Sequence, residues 1–168
     1  MELLEVFIAA VAAFMLGFLW YTALFGKIWQ RESGVTDEQA KSGIGITHGV
    51  AFLMMLAISY LMGTGGYGQH LNEGSAAHGA FHGMWNAVRF AVPLLVINYM
   101  YQKKSFTLIL IDAAYAVAFF SVIGAVIALL PLAEAPEMTL EGAEEALKGA
   151  QEYLKEKQDL LDSLKGGN

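Results

Sequence analysis

Apolar residues fall along this chain in four long runs separated by polar or glycine-rich breaks, and a later segment changes to a seven-residue repeat. The runs cover residues 3–25, 44–62, 76–100 and 106–130. At about 1.5 Å per residue, each is long enough to cross a hydrocarbon core of roughly 30 Å. Lipid offers no partner to backbone N–H and C=O groups, so continuous apolar runs of this length predict helices, which satisfy those groups internally. The expected fold is all-α: a four-transmembrane-helix bundle with an added C-terminal amphipathic soluble helix. The break from Tyr101 to Ser105 is so short that spans three and four must be antiparallel neighbours.

The first run begins beside Glu2 and Glu5 instead of a basic segment, which predicts a retained helix and not a cleaved signal peptide. Trp20, Tyr21 and Trp29 mark a water interface at its far end. In the polar connector that follows, Thr36-Asp37-Glu38-Gln39 has the form of a helix cap and first turn. Gly63-Thr64-Gly65-Gly66-Tyr67-Gly68 predicts a flexible loop, since it lacks the lysine of a phosphate-binding loop. Beyond Pro131 the pattern predicts an amphipathic helix over 138–164, with Leu140, Leu147, Leu154 and Leu161 on one seam. The chain thus divides into a membrane domain, 1–131, and an acidic tail, 132–168.

Composition agrees with the pattern: 56% of residues are hydrophobic, 15% are charged, and mean hydropathy is +0.47. Without cysteine there are no disulfides, thiolate metal sites or cysteine nucleophiles. Of the net charge of -6, residues 132–168 carry -5, from nine acidic and four basic side chains. No basic cluster suggests nucleic acid. Lys27, Arg31, Lys41, Lys103 and Lys104 all lie in the first and third connectors, so these are expected to be cytoplasmic. Both termini, the glycine-rich loop and the acidic tail are then extracytoplasmic, in a bacterial cytoplasmic membrane.

Two kinds of side chain stand out within the spans. Small residues form stripes for close helix packing: Ala9, Ala13 and Gly17 in span one, and Gly79, Gly83, Ala87 and Ala91 in span three. Polar groups form the second kind. Asp112 lies opposite Pro93 by depth, one turn from Arg89, so an Arg89–Asp112 ion pair is expected, with His48, Asn98 and Asn86 among its polar neighbours. Toward the other end, His78 and His82 lie four apart on one helical face. Glu2, Glu5, His70 and Glu73 lie at similar height. Two such histidines can chelate a transition metal, with Glu5 from span one completing the shell; bis-histidine haem ligation would need a further histidine on another span.

Leu19-Trp20-Tyr21, then Leu24-Phe25-Gly26-Lys27 and Trp29, then Asn98-Tyr99 before Lys104-Ser105, then Asp112 and Tyr115, resemble a bacterial family of small four-helix membrane proteins catalogued as domain of unknown function 1761. The resemblance covers roughly residues 5–130. It implies fold and membrane location and carries no activity.

Three functional readings follow. The leading one is a non-enzymatic, oligomeric structural or accessory membrane subunit without a cofactor, associating with itself or with another membrane or extracytoplasmic protein through the C-terminal helix. The second is a small transporter or channel with a polar path through His82, Asn86, Arg89 and Asp112. The third is a metal- or haem-binding protein using His78 and His82.

Overall fold

A computed structural model describes residues 3–72, 74–130, 144, 147–155 and 157–158. The described residues contain helices and no strand, and four of the helical stretches are long and apolar enough to span a membrane.

The first span, Leu3–Leu24, is helix α1 (Leu3–Phe18) continued by a π-helical turn, Leu19–Leu24. Two short polar helices follow, α2 (Gly26–Ser33) and α3 (Asp37–Lys41). Gly34 ends α2 with φ at +79°, a conformation that costs glycine little. Thr36 and Gln39 form the capping box that their spacing predicts, each side chain accepting from the other residue's backbone N–H.

The second span is α4 (Ile44–Gly63). The third, Ala76–Tyr101, comprises α6 (Ala76–Asn86), a second π-helical segment (Ala87–Ala91) and α7 (Val92–Tyr101). The fourth is α8 (Phe106–Leu129). Ser105 caps α8 and also hydrogen-bonds Glu32, which joins the two lysine-bearing connectors at one end of the bundle. That bond, with Arg31 beside it, holds the Glu32 carboxyl below the usual carboxylate range. This is the lysine end; the glycine-rich segment marks the other.

The glycine-rich segment is not the flexible loop its composition predicts. It contains helix α5 (Gly65–Asn72), held by Leu71, which is fully buried in the core. Tertiary burial here outweighs the poor helix propensity of glycine.

Gly79, Gly83 and Ala87 are buried against α8. The backbones of Gly79 and Gly83 lie directly on those of Gly124 and Phe120, so a Cβ at either glycine would meet a carbonyl oxygen. Ala91 is partly buried. On α1, Ala9 and Ala13 are fully buried beside Met62, Leu71, Phe119, Ile123 and Ile127, whereas Gly17 lies under the Tyr115 hydroxyl. By position along the helices, this core fills the half of the bundle toward the glycine-rich end. At the lysine end α4 stands more openly: no described residue packs on Gly45 or Gly49.

The chain divides into two compact units, Met1–Ala133 and Glu134–Asn168. In the second, residues 147–155 are helical, and Leu147 and Leu154 are 60% and 66% exposed. Leu140 and Leu161 lie outside the described residues.

Candidate metal centre and an aromatic carboxylate cavity

Ser75 caps α6, its hydroxyl accepting from the His78 backbone N–H at 3.3 Å, and so fixes the start of the helix that carries His78 and His82. Helix α5 adds a third imidazole. One ligand nitrogen from each of His70, His78 and His82 falls within 4.8 Å of the others. The Nε2 atoms of His70 and His82 are 3.2 Å apart. Two nitrogens on one tetrahedral zinc, each about 2.05 Å away, would stand roughly 3.3 Å apart. The His78 Nε2 is buried without a hydrogen-bond partner among the described residues. Of the carboxylates expected here, Glu5 does not belong to the group, and Glu2 and Glu73 lie outside the described residues. The third position is thus filled by His70, because α5 folds back over α6.

Tyr67 fastens α5 to α6. Its hydroxyl donates to the His82 carbonyl at 3.2 Å and accepts from Asn86 Nδ2 at 2.6 Å. Burial pushes the Tyr67 phenol up, against the opposing effects of the Asn86 bond and of Arg89, so it remains a donor at neutral pH.

Arg89 and Asp112 do not form the expected pair. The Arg89 guanidinium lies 4.7 Å from the Trp85 ring centroid on the exposed side of span three. The π-helical segment inserts an extra residue there and turns the register of a regular helix. Closeness in depth does not establish that two residues face each other. Asn98 accepts from Gln102 at 3.1 Å, and Asn86 belongs with Tyr67, so neither joins Asp112. Among the described residues the one ion pair is Arg31–Glu32.

Asp112 is 5% exposed and is held by two phenols: Tyr21 donates to one carboxylate oxygen and Tyr99 to the other, each at 2.8 Å. Tyr115 packs edge-on against Tyr21, with ring centroids 4.8 Å apart, and Trp29 also packs edge-on against Tyr21, at 5.4 Å. A cavity of about 600 Å³ adjoins this group, lined in part by Tyr21, Trp29, His48, Tyr99, Asp112 and Tyr115. A second, of about 310 Å³, shares Tyr21, His48 and Tyr115 and continues toward Phe14 and Gly17. Of the polar neighbours expected for Asp112, His48 alone shares its cavity.

Sequence reasoning used Tyr21 as an interface marker and gave Tyr99 and Tyr115 no role beyond the family pattern. Yet the motif residues Tyr21, Trp29, Tyr99, Asp112 and Tyr115 are those that meet around the carboxylate, and their recurrence in the resemblance was the available signal.

No curated protein and no solved structure matches the chain. The four long apolar helices are those of a multi-pass membrane protein, and a family model described as protein of unknown function, DUF1761, matches residues 4–128, so the chain belongs to that family.

Proposed function

We propose that this protein is a non-enzymatic integral membrane protein that binds one borderline first-row metal ion, of the zinc or copper(II) type, through His70, His78 and His82. The observation that carries this reading is the convergence of three imidazole nitrogens within 4.8 Å from two separate helices. Imidazole suits such ions, and three histidines leave a fourth coordination position for water or a transferred ligand. Ring centroids 4.5 to 4.9 Å apart favour a bare ion over haem, since no macrocycle fits between rings so close. The distribution of lysine and arginine supports an extracytoplasmic position for the site, with both termini on the same side. The small-residue stripe of span three is used against α8 within the chain, so it offers less support for self-association. The apolar core between the histidines and Asp112 likewise gives little support to a continuous polar path.

Metal titration of the purified full chain in detergent tests the reading. It predicts saturable binding of one Zn²⁺ per chain, abolished when all three histidines become alanine while helical content is retained. Binding well below one ion per chain, or unchanged in the triple variant, would overturn it.

A further inference from the structure

The cavity at the lysine end does not touch the histidine cluster and has a different chemistry. We propose that it is a binding site for a lipophilic organic cation, held by the Asp112 carboxylate and the surrounding aromatic rings.

Asp112 is 5% exposed, and among the described residues no lysine or arginine lies within ion-pair distance of it. Two phenol O–H groups satisfy one site on each oxygen, but a carboxylate has about four acceptor sites. The carboxylate therefore keeps acceptor capacity beside a cavity and has no competing cation among the described residues, in a low-dielectric setting where an opposite charge is strongly attracted to it. Every other ionisable group on the cavity wall is a tyrosine or His48, whose Nδ1–H donates to the Ile44 carbonyl at 2.8 Å.

The wall then selects the kind of cation. Tyr21, Trp29, Tyr99, Tyr115, Phe119 and Phe120 line the larger cavity. Aromatic faces attract cations, most strongly when water is excluded, and suit a diffuse organic charge better than a hydrated inorganic ion. A volume of about 600 Å³ lies within the range of small-molecule sites and far exceeds what a metal ion needs. Residues of all four spans contribute, and α4 packs loosely at this end, which gives a bulky ligand a way in from the side. The positive charge could belong to a free molecule or to a lipid amine headgroup; the chemistry recognised is the same.

The test uses the full chain in nanodiscs and equilibrium binding of tetraphenylphosphonium, whose charge does not depend on pH. Saturable binding is expected, weakened at least tenfold by Asp112→Asn, which keeps the size of the side chain and removes its charge. Because Asp112→Asn could impair folding, Ala51→Phe provides a second variant: it fills the cavity, leaves Asp112 intact and should also weaken binding at least tenfold. Alanine at His70, His78 and His82 should leave binding unchanged, which separates this site from the metal centre. Competition by phosphatidylethanolamine, absent in discs of phosphatidylglycerol alone, would assign the natural cation to a lipid amine; equal binding in both would assign it to a free molecule. Unsaturable binding, full affinity in folded Asp112→Asn, or full affinity in Ala51→Phe would overturn the proposal.

Discussion

At the residue scale, the two polar centres differ in how their groups are satisfied. The Asp112 oxygens already have phenol donors, whereas the His78 Nε2 is buried without a partner among the described residues. Loss of one phenol donor should therefore cost stability. Tyr99→Phe is expected to destabilise the bundle by about 1–3 kcal/mol, the usual range for leaving a buried acceptor without its donor, measured by thermal unfolding in detergent; an unchanged midpoint would refute it. For the histidines the expectation concerns affinity. His78→Ala should weaken zinc binding by at least about tenfold, since a ligand is lost outright. Protons compete with metal for imidazole nitrogen, so the bound ion should be released as pH falls from neutral to about 5. Zinc retained at that pH would assign the metal to other ligands.

At the element scale, the decisive contact is the close approach of α6 to α8. A side chain at Gly83 meets the Phe120 carbonyl, and backbone cannot swing aside as a side-chain tip can. Gly83→Leu should cost at least about 1–3 kcal/mol, the range typical of overpacking, seen as a lowered unfolding midpoint. Gly45 is the internal control, because it has open space around it. Gly45→Ala should leave the midpoint unchanged or raise it slightly, through better helix propensity. Equal losses at both positions would show that the glycines matter for backbone freedom and not for packing. The two π-helical segments belong to this scale as well. One carries Tyr21 to Asp112, and the other turns Arg89 onto Trp85.

At the scale of the whole molecule, the family match and the division into two units agree that the membrane bundle is complete before the acidic tail. Truncation after Ala133 should leave both the bundle's unfolding midpoint and its zinc stoichiometry unchanged, read by calorimetry and metal analysis. A large fall in either would give the tail a structural role. Leu147 and Leu154 present an apolar seam of their own, so Leu147→Asp with Leu154→Asp should likewise spare the bundle.

The sequence by itself determined the four spans, the antiparallel pairing around Gln102, the Thr36 cap and the small-residue stripes, because hydropathy, run length and helical spacing are local properties of the chain. It also brought His78 and His82 together, since residues four apart share a helical face. Only the tertiary structure decided what each polar group meets. Arg89 and Asp112 lie only one turn apart by span register yet face different surroundings, because the extra residue of a π-helical segment rotates side chains without leaving a mark in hydropathy. His70 and Tyr21 reach their sites through folding of α5 onto α6 and of span one onto α8, and azimuth about a helix axis is fixed by packing. Glycine content argued for a loop where burial of Leu71 makes a helix. Local sequence states what a segment prefers; the burial of its neighbours decides which preference prevails.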